Sequence, residues 1–344
     1  MTSLNTIDKI IEYGQRSSSG KLIVSDYSVH GVTTRLITDS TKVSQAVDVL
    51  LDGFKTGAAI EDPAIEFSIF SRDELDGGLD APEGTPLLYD WDAVKILHAG
   101  DRRYLQLDRR GRVSADLSQS RAAGFVLRES LDYAWLISHQ VFYPLWGQMM
   151  KEHGLFPFHA AGLTRSGSAF LFPGRSGSGK STLSLELAGS GYGFLSDDTV
   201  FLRESNGIVD ALSFPEEINV TDETRKLIPE LDKVKNFNID TFRQKSSFAI
   251  ESLFPGCQQD SGVPSIIMFP EVTGSDSTAF LPMTRTEALA FSMRFGFFFI
   301  DPSTTGRHFE ILSLLVKQAR CYRLMTGTNR EEWRRMVTSL LDGS

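Results

Sequence analysis

The sequence predicts an α/β protein in two parts: an N-terminal α+β domain over residues 1–153 that ends in a long helix, and an α/β domain over residues 154–344. Three observations lead there. Between about residues 20 and 120 the apolar positions recur mainly with a period of two, the pattern of half-buried strands. Residues 133–153 carry Trp135, Leu136, Phe142, Leu145, Trp146 and Met149 in a helical run, which Pro144 is expected to kink or split. After residue 154 an apolar run, a glycine-rich loop and an amphipathic run follow one another over 169–188, the order strand, loop, helix.

In the first part, residues 22–29 and 64–70 read as strands, and 43–54 as a helix with Val43, Ala46, Val47, Leu50, Leu51 and Phe54 on one face. Residues 94–97 and 104–107 pair as a hairpin turned at Gly100-Asp101, with a further turn over 109–112. The stretches at Asp76-Gly77-Gly78 and 82–86 are loops. In the second part strands are expected at 158–163, 169–172, 199–202 and 265–269, and helices at 284–293, 311–318 and 330–341. Residues 203–260 show no decisive pattern.

The loop carries the chemistry. Gly174-Arg175-Ser176-Gly177-Ser178-Gly179-Lys180-Ser181 fits G-x-x-x-x-G-K-[ST] at every fixed position, and Thr182 opens the helix behind it. Between a strand and a helix, such a loop turns backbone N–H groups onto a phosphate chain. Lys180 then reaches the β- and γ-phosphates and the Ser181 hydroxyl ligates Mg²⁺. ATP and Mg²⁺ are the expected ligands.

One helix further on come Asp197 and Asp198, at the end of an apolar stretch, where an open sheet binds its ligands. One carboxylate there holds the metal and the other takes the proton of an incoming hydroxyl; the sequence leaves open which does which. His159 stands one hairpin before the loop. The order His159-Ala-Ala-Gly, hairpin, glycine loop, Phe194-Leu-Ser-Asp-Asp198 resembles the catalytic core of the HPr kinase/phosphorylase family. The resemblance is specific over residues 156–202, and 281–288 and 320–324 look like further segments of HPr kinase-related proteins. It implies a P-loop kinase core akin to phosphoenolpyruvate carboxykinase, and transfer from ATP to a hydroxyl, usually serine, of a protein or peptide. It also implies that His159 is the electrostatic partner of the acidic pair. Many enzymes of this resemblance are homo-oligomers; nothing in the chain fixes a stoichiometry.

One departure narrows the inference. The family's E-I-R-G-x-G signature has its nearest counterpart in Phe214-Pro-Glu-Glu-Ile-Asn-Val220, without arginine or glycine, so neither phosphorylase activity nor HPr itself as substrate carries over. Additional cations for the transferring phosphoryl are sought in Arg243 and Lys245, then Arg294, while Arg175 is expected to point outward. Glu216 and Glu217 are read as strand caps before metal ligands. Two other functions compete with a protein or peptide kinase: a small-molecule kinase acting on free serine or a sugar-like alcohol, and an ATPase switch. An acidic pair directly after the loop helix favours phosphoryl transfer over the switch.

A net charge of −9 argues against nucleic acid as the main partner. Cys257 and Cys321 are the only cysteines and lie far apart, which supports neither a disulfide framework nor a thiolate metal site. No basic stretch followed by an apolar run opens the chain, and no apolar window is long enough to span a bilayer, so a cytoplasmic location without membrane contact is expected.

Overall fold

The computed structural model describes residues 6–18, 20–75, 79–91, 93–214, 217–235, 238–240, 245–296 and 302–343. These form a mixed α/β structure in two compact units. One runs to His153 and includes residues 302–304; the other is the remainder from Gly154.

The first unit opens with α1 (Ile7–Ser17), capped by the Thr6 hydroxyl, which accepts from the Lys9 amide. Strands β1 (Ile23–Val29) and β2 (Val32–Thr38) form a hairpin before α2 (Thr41–Leu51) and β3 (Ile65–Arg72). Then come β4 (Leu87–Trp91), β5 (Val94–Ala99), β6 (Arg102–Leu107), β7 (Gly111–Asp116) and β8 (Arg121–Leu127), an antiparallel meander. The eight strands make one sheet in the order β1-β2-β3-β8-β7-β6-β5-β4. Central β3 is buried on both faces. Phe67 meets Phe142 with ring centroids 4.7 Å apart, and Phe70 lies in the cluster of Ile7 and Ile10 from α1. Small polar side chains, Ser68 and Ser71, are buried along it as well, so its sequence is not a continuous apolar run although the strand is enclosed.

The helix expected over 133–153 is different in kind. A π-helical stretch (Leu136–Phe142) runs into α3 (Tyr143–Glu152). Pro144 falls at the junction, in the first turn of α3, and the run is divided there into two helical stretches of different kind, the split that was one of the two expected outcomes.

The second unit begins with β9 (Phe156–Phe158), β10 (Ala160–Arg165) and β11 (Ser168–Pro173), followed by α4 (Lys180–Gly189). Next are β12 (Gly193–Ser196), β13 (Val200–Ser205), β14 (Ile208–Leu212), β15 (Ile218–Val220) and α5 (Asp222–Leu227). The chain continues through β16 (Asn238–Asp240), β17 (Lys245–Phe248), β18 (Ser261–Val272), β19 (Ala279–Pro282), α6 (Arg285–Gly296), α7 (Thr305–Gln318), β20 (Arg320–Thr326) and α8 (Arg330–Asp342). The main sheet has the order β12-β10-β11-β18-β14-β13-β9, and β20, with β19 beyond it, pairs the C-terminal part of β18.

Alternate residues of β18 feed two cores. Ile267 and Phe269 pack with Leu312 and Leu315 of α7; Ile266 and Met268 pack with Leu183 and Leu187 of α4 and Trp333 and Val337 of α8. Leu185 and Ala188, on another side of α4, are covered by Ile218, Val220 and Phe248 of the small sheet β15-β17-β16. The helix behind the glycine loop is therefore enclosed on several sides, with its leucines shared between two cores and Lys180, Ser184 and Glu186 buried beside them. Residues 203–260, without a pattern in sequence, supply that cover.

The single strand expected over 158–163 is two. The chain leaves β9, which pairs with β13, and enters β10, which pairs with β11 and β12. The break falls at His159, whose amide donates to the Phe295 carbonyl at 2.9 Å. On β10, a Cβ added at Gly162 would lie 2.8 Å from Val200 Cγ1 and 3.2 Å from Leu195 Cβ. Gly162→Ala should therefore destabilise the unit by about 1–3 kcal/mol through overpacking. An unchanged midpoint in urea unfolding would contradict this close packing.

Among the described residues no helix is long and apolar enough to cross a membrane.

Candidate functional site

Strand directions bring the sequence-distant candidates to one edge. β10 runs antiparallel to both β11 and β12, so the start of β10 and the ends of β11 and β12 coincide. β18 is parallel to β11 and ends on the same edge. His159, the glycine loop, Asp197 with Asp198, and Val272 therefore gather there.

The loop lies between β11 and α4. Gly177 and Gly179 have φ of +82° and +93°, the left-handed region where a side chain is strained. Gly179 immediately precedes α4, and its carbonyl accepts the Leu183 amide at 2.9 Å. The amides of the first helical turn precede that bond and face the loop's mouth, the arrangement that receives anions.

Lys180 is 7% exposed, and its ammonium donates to the Gly174 carbonyl at 2.6 Å. It also lies 3.2 Å from His159 Nε2. An ammonium has only donors, so Nε2 accepts and the ring proton of neutral His159 sits on Nδ1. Nδ1 is 3.3 Å from Asp198 Oδ2. Lysine, histidine and aspartate thus form a line from the loop to the surface.

The two aspartates have different environments. Asp197 is buried and accepts the Ser181 hydroxyl through Oδ2 at 2.8 Å, while its buried Oδ1 has no hydrogen-bond partner. The Asp198 side chain is 52% exposed. The turn between them is shaped by Ser196, whose hydroxyl accepts the Asp198 and Thr199 amides at 3.3 and 3.1 Å. A serine before two aspartates reads in sequence as part of a turn cap, and Ser196 is one. Phe295, whose carbonyl anchors the break at His159 from more than a hundred residues away, had no signal of its own in sequence.

Burial pushes the Asp197 carboxyl up to about 6, with the Asp198 charge acting in the same sense and the Ser181 hydrogen bond and Lys180 opposing. A raised carboxyl value means the ionised form is penalised in the fold. The associated stability is present below about pH 4 and lost as pH rises through about 6. Asp197→Asn, which cannot ionise, should thus make the ligand-free protein more stable at pH 8, by on the order of 2–3 kcal/mol, with little difference at pH 4. Urea unfolding at both pH values measures this; a variant no more stable than the parent at pH 8 would refute it.

The remaining candidates scatter. Arg175 and Ser176 are exposed on the loop, as Arg175 was expected to be. Ser178 turns its hydroxyl inward, and Thr182 is half-buried in the first turn of α4. Arg294 is exposed and stacks on Phe291, 4.9 Å from its ring centroid. Glu217 accepts the Ser247 hydroxyl at 2.5 Å, a contact within the small-sheet region. Arg243 and Glu216, and the side chain of Lys245 at the start of β17, lie outside the described residues.

No family model matches the chain, and no curated protein does. Solved structures that match include the Hpr(Ser) kinase/phosphatase from Coxiella burnetii, 13% identical, covering 54% of this chain and 88% of that one with a TM-score of 0.32.

Ser181 and Asp197 are the side chains suited to hold a hard cation: both offer oxygen, and the unpartnered Oδ1 is a buried acceptor awaiting a positive group. Among the described residues no three His, Cys, Asp or Glu side chains converge as a metal site. A cation here would draw the rest of its shell from phosphate and water, as Mg²⁺ commonly does.

Proposed function

We propose that this protein is an ATP- and Mg²⁺-dependent kinase that transfers the γ-phosphoryl group to a serine hydroxyl of a protein or peptide. The observation that carries the reading is the division of labour along one sheet edge. A buried lysine stands at a glycine loop, a buried aspartate binds the serine behind that lysine, and an accessible aspartate is aligned by histidine.

In this reading the loop amides and Lys180 hold the phosphate chain. Ser181 and Asp197 would hold Mg²⁺, which when bound would supply charge neutralisation on the phosphate oxygens. Asp198 accepts the proton of the incoming hydroxyl, and His159 fixes the direction of its carboxylate through Nδ1–H. Positioning supplies most of the rate, since the phosphoryl group needs little covalent help. The half-exposed Asp198 supports a bulky acceptor: a base reached from open solvent suits a side chain carried on a polypeptide.

Incubation of the purified protein with γ-labelled ATP, Mg²⁺ and cell lysate tests this. Acid-stable label on serine of a polypeptide is the expected result. Label confined to a small molecule would replace the acceptor class, and release of free phosphate alone would point to an ATPase switch.

A further inference from the structure

We infer that the nucleoside part of the bound nucleotide lies across a shelf made by Val272 and Thr326, between the beginnings of α4 and α8. The inference rests on the phosphate-loop reading above and extends it to the part of the ligand that the loop motif does not describe.

In-line transfer supplies the direction. The attacking hydroxyl and the leaving phosphate stand on opposite sides of the transferred phosphorus. Asp198 and His159 are tied to β12 and β10, on one flank of the loop strand β11. An acceptor activated there drives the leaving phosphate, with its nucleoside, toward the other flank. That flank is formed by β18 and then β20, both parallel to β11 and both ending on the loop's edge.

Val272 stands at that point. It closes β18, is 61% exposed, and its Cγ2 lies 3.8 Å from where a Cβ on Gly179 would be. It shares a sheet face with Met268, and hence with Leu183 and Leu187 of the loop helix. Its register partner on β20 is Thr326, two residues beyond Leu324 of the same core. An exposed valine against a phosphate loop offers apolar surface for a base or ribose to cover.

The rim of the shelf is polar and held in place. Thr273 N–H donates to the Thr326 carbonyl at 3.2 Å, and Thr328 N–H to the Ser275 carbonyl at 2.8 Å. The Thr328 hydroxyl donates to Asp276 Oδ1 at 3.1 Å. At Gly327 an added Cβ would lie 2.6 Å from the Ser277 carbonyl carbon, so the two rim segments touch through backbone. Bonded to one another in this way, the rim segments are held in place before any ligand arrives.

The test compares ATP with tripolyphosphate, which keeps the phosphates and lacks the nucleoside. With Mg²⁺ present, the unaltered protein should bind ATP more tightly than tripolyphosphate. Val272→Asn, an exposed neutral change, should weaken ATP about fivefold, as expected for roughly 1 kcal/mol of lost apolar contact, and leave tripolyphosphate unchanged. Val272→Ile should keep the parent's ATP affinity. Photocrosslinking with 8-azido-ATP should label peptides containing 272–278 or 326–328. Equal affinity of parent and Val272→Asn for ATP, or label confined to other segments, would overturn the inference while leaving the phosphate-loop reading intact. Failure of the unaltered protein to bind either compound would remove both.

Discussion

Asp198→Asn is expected to lower phosphoryl transfer by about a thousandfold while ATP affinity in the presence of Mg²⁺ stays within about twofold of the parent, since general-base catalysis typically contributes 10²–10⁴. The split follows from exposure. Asp198 is half open to solvent and touches His159, and the group bound to the loop serine is its neighbour Asp197. An asparagine keeps the shape and still accepts from His159 Nδ1–H, but it cannot take a proton. Single-turnover measurement of label transfer beside a direct ATP titration separates the two effects. Loss of affinity equal to the loss of rate would reassign Asp198 to ligand binding; full turnover would remove it from the chemistry.

If the loop binds ATP and Mg²⁺ as proposed, these should raise the melting temperature, and Lys180→Ala is expected to abolish that rise. A ligand at a hundred times its Kd stabilises by about 2.7 kcal/mol, and that linkage disappears with the affinity. The lysine is nearly enclosed, bonded to the Gly174 carbonyl and adjacent to His159 Nε2, so its ammonium is held at the loop in advance. Its removal also frees Nε2, and the His159 ring loses the contact that sets its proton on Nδ1. A loop that still shows the full thermal shift without this lysine would mean that the loop is not a polyphosphate site. Lys180→Arg separates charge from fit: a planar fork is too large for the enclosed position and should recover little of the shift.

Much of the second unit's organisation was legible because it is local. A strand, a loop with glycines at fixed places and a helix occupy fewer than twenty-five consecutive residues, and backbone preferences over that range do not depend on distant packing. The helices near 311–318 and 330–341 declared themselves by periodicity in the same way. Residues 203–260 did not. Their strands β15, β16 and β17 are three or four residues long, too short for a period to show, and β15 and β17 cover α4. The π-helical stretch at Leu136–Phe142 was missed for another reason: its apolar residues fit an α-helical pattern as well, and the position of Pro144 reads as a break or as a beginning according to what precedes it.

By itself the sequence singled out the residues proposed to carry chemistry: a glycine loop with Lys180 and Ser181, two adjacent aspartates and a histidine one hairpin upstream. Only the tertiary structure gave them different surroundings, on which the proposed division of tasks rests. Asp197 and Asp198 are chemically identical neighbours, and only the enclosure of one against Ser181 and the exposure of the other beside His159 make them different, because burial and contact are properties of the packed chain. Val272, seventy-five residues from that pair, joins the same edge only because β18 runs parallel to β11, a pairing no local pattern encodes.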